Sequence, residues 1–323
     1  MTSRVTARAY ANIALCKYWG KLKGESNLPA TPSISLALDV LRTDTTISRI
    51  DGNSDQFQID RKPTDDVTRE RLIRYLDLWR GRKLIEGCFS IESENHFPTA
   101  SGLASSASGF AALTLALSGF ARQKLNKTEL SRLARMGSGS AARSIAGGLA
   151  KLPFGSDPAA TRIMPARKIP WGMVVTIVEG AQKKISSREG MRLSNQSSPY
   201  YKAWLTQAKQ DYRDMLVAIK QMDFGRIGRI CEANTLAMHA CMMAARPSLL
   251  YWTKTTFAII SAVNEWREDG LNIYFTIDAG PHVLLLCKSD DLENIAAKVR
   301  RIDGVAQAIA ARPAGGAKII EIS

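Results

Sequence analysis

The chain is poor in several things, and each shortage removes a class of protein. It has five cysteines in 323 residues, Cys16, Cys88, Cys231, Cys241 and Cys287, odd in number and without a Cys-x-x-Cys pair. That argues against a disulfide framework and against structural zinc, and it suits a reduced, cytoplasmic setting. It has three histidines, His96, His239 and His282, with no metal-ligand spacing. They are read as structural or supporting groups. No apolar run approaches the ~20 residues of a membrane-spanning helix. The opening Met-Thr-Ser-Arg-Val-Thr-Ala-Arg lacks the apolar stretch of a signal peptide. No Gly-x-x-x-x-Gly-Lys-[Ser/Thr] occurs, which excludes a Walker phosphate loop. Gly137-Ser-Gly-Ser-Ala-Ala imitates half a dinucleotide fingerprint, but a helical pattern precedes it where a strand is required. Acidic residues are outnumbered 30 to 44, for a net charge of +14. That excess favours anionic partners. The basic residues are spread along the chain, with no basic tail and no recognisable nucleic-acid module. Charge alone does not choose between phosphorylated metabolites, nucleic acid and a membrane surface.

What is present is more specific. Residues 96–110 read His-Phe-Pro-Thr-Ala-Ser-Gly-Leu-Ala-Ser-Ser-Ala-Ser-Gly-Phe, and an apolar helical run follows at once. A loop this poor in side chains leaves backbone N–H groups accessible. The helix behind it adds unpaired donors and the positive end of its dipole. Together these make a phosphate cradle. Hydrophobic alternation predicts strands over 5–10, 33–38, 43–50 and 88–94. Helical spacing predicts helices over 65–79, 105–122, 128–136 and 140–146. A break at 168–172 leads into a strand over 173–178. Two helical stripes follow, Trp204 to Ile219 and Phe224 to Cys241. Strands over 273–277 and 283–286, a helix over 292–300 and two short strands complete the chain. The class is α+β, with no internal repeat. The chain divides into halves over 1–171 and 172–323, packed over a shared cleft.

Four further segments carry chemistry. Asn12-Ile-Ala-Leu-Cys-Lys-Tyr-Trp-Gly-Lys21 crowds polar and aromatic groups around a glycine, and it reads either as a lysine desolvated to bind an anion or as a strand end with solvated lysines. Gly137-Ser-Gly-Ser-Ala-Ala-Arg143 places Ser138 and Ser140 near a helix start, to cap it or bind an oxyanion. Arg143, three residues after Ser140, reads as a bidentate clamp on a carboxylate or phosphate or as a surface arginine beyond an N-cap. Thr276-Ile-Asp-Ala-Gly-Pro281 ends an apolar strand at Asp278, which is either a turn cap or a carboxylate facing a cleft. Lys183-Lys-Ile-Ser-Ser-Arg-Glu-Gly190 alternates hydroxyls and cations, as a diphosphate loop or an exposed polar loop would. Asn234 interrupts an apolar helical stripe and is expected to satisfy a buried partner.

Taken in order, these segments resemble the mevalonate diphosphate decarboxylases of the GHMP kinase superfamily, together with Asn27-Leu-Pro-Ala-Thr-Pro-Ser33 and residues 97–113. The resemblance runs from residue 11 to about residue 286. It departs from the family at Ala30-Thr31-Pro32, at His282 after the Asp-Ala-Gly-Pro turn, and at His96. The resemblance implies a GHMP kinase-like fold with a deep cleft between two halves. It implies ATP-dependent decarboxylation of mevalonate 5-diphosphate to isopentenyl diphosphate, with ATP and Mg2+ as cofactors. The alternative is a 3-kinase or decarboxylase of the same superfamily acting on a less phosphorylated mevalonate. In the implied site, Asp278, Lys17 and Arg143 are catalytic. Tyr18, Lys21, Ser138, Ser140 and Ser186 bind substrate, with Arg69, or else Arg71, reaching it from the first long helix. Asn12, Asn95, Ser101, Gly102, Leu103, Ala104, Ser105 and Ser106 bind nucleotide, and Ser105 or Ser106 meets the metal. The implied partner is a small phosphorylated substrate, without nucleic acid or membrane, and the implied assembly is a homodimer.

Overall fold

Two long strands, β1 (Arg4–Cys16) and β2 (Ser33–Ile50), pair antiparallel and organise the first half of the molecule. The sequence predicts two strands where β2 is one. Its first residues are buried without interruption, and those beyond Leu41 alternate buried and half-exposed. The period changes because the strand passes from a two-sided core to a one-sided one, while register shifts at Tyr10/Asn12 and Ala14/Cys16 bend the pair. The computed structural model describes residues 3–22, 24, 26–97, 105–179 and 185–323. Within them the first sheet runs β12-β1-β2-β5-β3-β4, where β3 is Gln56–Ile59, β4 Lys62–Pro63, β5 Cys88–Asn95 and β12 Lys318–Ile322. Two short strands, β6 (Leu149–Leu152) and β7 (Thr161–Met164), extend it beside β2. The second sheet runs β11-β8-β10-β9, from Val305–Ala311, Trp171–Val178, Val283–Lys288 and Tyr274–Ile277.

Helices cover these sheets. Helix α1 (Asp66–Gly81) starts at Asp65, whose carboxylate accepts from Thr68 N–H at 2.7 Å, and buries Leu72, Tyr75, Leu76 and Trp79. Helix α2 (Ser105–Ser118) is small and apolar on nearly every side, so it runs through the core. It ends at Ser118 rather than near 122. Helices α3 (Lys127–Gly137) and α4 (Ala141–Ala146) follow. The second half adds α5 (Ser187–Ser197), α6 (Tyr201–Gln221), α7 (Phe224–Met243), α8 (Lys254–Glu268) and α9 (Leu292–Val299). No helix among the described residues is long and apolar enough to cross a membrane.

Two of these helices escape the sequence reading. α5 buries little besides Gly190, Met191 and Ser194, too narrow a stripe to announce itself in a polar segment. α8 buries only Thr256, Ile259 and Val263, although Thr253 and Thr256 form a capping box.

One apolar cluster joins the two sheets. It packs Ile13, Leu15, Ile34 and Leu36 of the first sheet against Trp171, Met173, Val175, Leu284 and Leu286 of the second, with Met215, Ile219 and Ile227 of α6 and α7. β8 is buried along its whole length because Val174 and Val178 face a further cluster on its other side. Each such side chain contributes about 1.5–3 kcal/mol on burial. The ends of β1 and β9 are therefore held together from both sheets.

Candidate active site

Lys17 is the first residue beyond β1, and Asp278 the first beyond β9. Thr276 donates to the Ala14 carbonyl at 3.1 Å, which lays the two strand ends side by side. Lys17 Nζ then meets Asp278 Oδ1 at 2.7 Å. The lysine side chain is 1% exposed and the carboxylate 39%. A buried ammonium needs a partner, and the open side of that partner faces a cavity of about 390 Å3. Of the two readings of Asp278, the cleft-facing carboxylate is the one observed.

Arg143, on α4, lines the same cavity. Its Nε donates to Ser35 Oγ at 2.8 Å and to Asn12 Oδ1 at 3.2 Å, and Nη1 donates to Ser33 Oγ. These bonds fix the plane of the guanidinium and leave Nη2 as its outer nitrogen among the described contacts. Burial pulls its pKa down to about 10, against the opposing pull of Asp278. Asn12 donates its own amide to Ser140 O at 2.9 Å and Ser144 Oγ at 2.7 Å. It thus orients Arg143, and it lines the same cavity.

Ser138 and Ser140 do not cap α4. Ser140 stands at the N-cap without a side-chain cap bond. Instead Ser106, Ser138 and Ser140 form a chain of hydroxyls spaced 3.2 Å apart along one wall. The flanking glycines make this wall possible. A Cβ on Gly139 would lie 2.4 Å from the Tyr18 hydroxyl, and one on Gly137 would lie 2.1 Å from the Phe110 ring.

The mouth of the cavity is basic. Lys17, Lys21, Arg71, Arg74, Arg143 and Arg188 line it, and Asp278 is the one carboxylate among the described lining residues. Lys21 Nζ donates to Asn27 Oδ1 at 2.7 Å, and Tyr18 donates its hydroxyl to Asn27 O at 2.8 Å. Burial, reinforced by Arg188 and Arg71, lowers Lys21 to about 8. Burial and the neighbouring Arg188 and Arg74 lower Arg71 to about 10. Burial pushes the Tyr18 hydroxyl up. So many cations in one hollow repel one another, and a polyanion relieves that repulsion. Ser186 lies at the rim and also caps α5, accepting from Glu189 N–H at 3.2 Å.

A second cavity of about 280 Å3 adjoins the first, and Arg71 and Ser106 line both. Ser105 and Ser106 stand there at the N-terminus of α2, opposite Asn95 and Thr43. Asn95 donates to Asp60 from its backbone at 2.8 Å and from its amide at 3.3 Å, and it accepts from Thr43 at 2.8 Å. Ser101, Gly102, Leu103 and Ala104 lie outside the described residues, as do Lys183 and Lys184.

The structure separates the two arginines offered on α1. Arg69 lies elsewhere, exposed beside Asn53, Ser54 and Asp55. Positions 69 and 71 are about 200° apart on a helix of 3.6 residues per turn, so only one can face the cleft. Arg71 does, donating to Gly137 O at 2.8 Å with its guanidinium 4.4 Å from the Phe110 ring centre. Sequence reasoning also gave no role to Asn27, which ties Lys21 and Tyr18 to the end of α3 through Arg135 O and Met136 O. Its backbone φ is +50°, a region that asparagine tolerates. Arg188 stood in a quoted motif unassigned. Asp60 left no signal.

Comparison with known proteins identifies the family. Residues 9–162 match the diphosphomevalonate decarboxylase-like N-terminal domain, and residues 173–316 match the mevalonate 5-diphosphate decarboxylase C-terminal domain. The chain is 33% identical to diphosphomevalonate decarboxylase of Aspergillus fumigatus, over 93% of this chain and 81% of that one. It superposes on mevalonate diphosphate decarboxylase of Staphylococcus aureus with a TM-score of 0.93 and 37% identity, covering 99% of both chains. The structure of MDDEF in complex with MVAPP, AMPPCP and magnesium superposes with a TM-score of 0.93 and 35% identity, covering 99% of this chain and all of that one. The fold is the α+β fold of these enzymes, and the decarboxylase reading is supported over a less phosphorylated substrate. The chain belongs to the mevalonate 5-diphosphate decarboxylase family, enzymes of the mevalonate route to isoprenoids.

Proposed function

We propose that the cation-lined cavity takes mevalonate 5-diphosphate and the adjoining cavity takes ATP, with Lys17, Asp278 and Arg143 at the reacting carbon. The observation that carries this reading is the 2.7 Å Lys17–Asp278 pair at the wall of a cavity otherwise lined by cations. ATP transfers its terminal phosphoryl group to the 3-hydroxyl. That phosphate then leaves with the C–O bonding pair, the C–C bond to the carboxylate breaks, and CO2 departs as the double bond forms. Positive charge develops at the tertiary carbon, and the Asp278 carboxylate stabilises it. Asp278 also accepts the hydroxyl proton in this reading, with Lys17 holding its orientation. Arg143 holds the departing carboxylate and aligns the breaking bond. Tyr18, Lys21, Ser138, Ser140, Ser186, Arg71 and Arg188 receive the diphosphate.

Asn95, Ser101, Gly102, Leu103, Ala104, Ser105 and Ser106 receive the nucleotide. Among the described residues no group of three or more His, Cys, Asp or Glu is placed to hold a metal. This fits Mg2+, which arrives with phosphate oxygens and water and needs one or two protein ligands. The Ser105 or Ser106 hydroxyl would supply one. The ligands of the related MDDEF structure, MVAPP, AMPPCP and magnesium, support the same occupants. On the strength of the family resemblance we also propose a homodimeric, cytoplasmic enzyme that engages neither nucleic acid nor membrane. The halves 1–171 and 172–323 are proposed as its two units. The second sheet falls after that division except for Trp171, the first residue of β8, and β12 returns to the first.

Arg143→Lys tests the roles. Lysine keeps the charge and loses the planar fork. Turnover is expected to fall by roughly 10²-fold, more than affinity does, with ADP released in excess of CO2. Loss of affinity with kcat retained would make Arg143 a diphosphate anchor instead.

A further inference from the structure

The Lys17–Asp278 pair is held from behind by groups that do not line the cavity. The pairing of β1 with β2 ends at Cys16 and Ile34, so the Lys17 N–H lies beyond the ladder. It donates instead to Asn234 Oδ1 on α7, at 2.7 Å. The Lys17 carbonyl accepts from Thr31 Oγ1 at 3.3 Å. Asn234 is fully buried, and its Nδ2 donates to Asp211 Oδ2 on α6 at 2.8 Å. Gln207 Nε2 donates to the other oxygen, Asp211 Oδ1, at 2.7 Å. The next residue of α7 reaches the other strand end: Thr235 Oγ1 lies 3.1 Å from Thr276 Oγ1, two positions before Asp278. Adjacent residues of one helix therefore grip both strand ends that deliver the ion pair.

The carboxylate has a particular consequence. Asp211 is 6% exposed and has no cationic partner among the described residues. Satisfying a backbone N–H does not require a buried carboxylate, and burying one is costly. What it adds is orientation. The two ends of an asparagine amide are nearly the same size, but an ionised carboxylate only accepts. Facing Asp211, the amide presents Nδ2 to the carboxylate and Oδ1 to Lys17. We propose that Asn234 and Asp211 are positioning residues for the reaction: Asp211 sets the Asn234 amide, and Asn234 sets the Lys17 backbone from which Nζ reaches Asp278. This inference rests on the reading of Lys17 and Asp278 as the reacting pair.

The test inverts the polarity of the buried pair. Asn234→Asp sets carboxylate against carboxylate. Its kcat is expected to fall on the order of 10²-fold, the scale for a displaced reacting group, while KM for either substrate changes far less. Adding Asp211→Asn restores a donor opposite the new carboxylate at position 234, which still accepts from Lys17 N–H. The double variant is expected to regain most of the lost kcat. A folded Asn234→Asp protein with wild-type kcat overturns the proposal. So does a double variant that regains thermal stability without kcat, since Asn234 would then only hold the helices together. Should Asn234→Asp alone not fold, the double variant decides: kcat near wild type supports positioning, and low kcat in a folded protein overturns it. Lys17→Met serves as the reference. If it loses turnover while Asn234→Asp keeps it, only the positioning role fails. If Lys17→Met itself keeps turnover, the reacting-pair reading fails too.

Discussion

The two cavities that meet at Arg71 and Ser106 hold their walls in different chemistry. The larger sets six cations around one carboxylate. The smaller is lined mostly by hydroxyls, amides and apolar groups, with Asp60 and Arg71 its charged residues and the start of α2 at one side. Point charges in a half-buried hollow suit a compact diphosphate whose charge must be matched. Backbone donors at a helix start suit a longer phosphate chain that must be positioned. The comparison teaches that charge and recognition are divided between neighbouring sites, and that Asp278 is the exception inside the cationic one.

Removing that exception is the most severe test. Asp278→Asn keeps the shape and deletes the negative charge that we propose stabilises the reacting carbon. We expect kcat to fall on the order of 10²-fold or more with substrate affinity changed far less. Turnover close to wild type would return Asp278 to the role of a turn residue. The shared wall comes next. Arg71→Ala is expected to raise KM for both substrates by roughly tenfold or more, since bonds to a charged group are worth about 1.5–3 kcal/mol. Arg69→Ala, on the opposite side of α1, is expected to move neither. An effect on one substrate alone would assign Arg71 to a single cavity.

The smallest effect sharpens the contrast by pH. Lys21 stands at about 8 in the free site, so it is charged below that pH and loses its proton above it. Bound diphosphate raises its affinity for the proton, and binding above pH 8 then takes up a proton. KM for mevalonate 5-diphosphate is expected to be level below about pH 8 and to rise above it, by at most roughly tenfold per unit. KM for ATP should lack this rise. Lys21→Arg should flatten it, because arginine stays charged. A KM profile unchanged by Lys21→Arg would remove Lys21 as its source.

Much of this was legible in the linear order of residues. Lys17 and Asp278 each sit one step past an apolar strand, and a strand end is where a side chain leaves the sheet. The helix with Leu72, Tyr75 and Trp79 on one face declared itself by period. The polar segment that became α5 did not, because its buried stripe is narrow and its cap is a serine like many others. Arg69 and Arg71 looked equivalent until the phase of α1 was known, since a one-residue uncertainty turns a helix by about 100°.

The sequence by itself determined the chemistry available: a glycine- and serine-rich phosphate loop, a lysine and an aspartate at strand ends, an arginine near a small-residue turn, and an excess of positive charge. Only the tertiary structure decided which of these groups meet. Lys17 and Asp278 are 261 residues apart in the chain, and their contact depends on two sheets sharing one core. Asn12 bonds Arg143 across 131 positions of the chain. Asn27, Asn234 and Asp211 gained their importance from partners on other elements. The physical reason is that strand and helix periods are local properties of a side-chain pattern, while a hydrogen bond across the core depends on packing that no local pattern records.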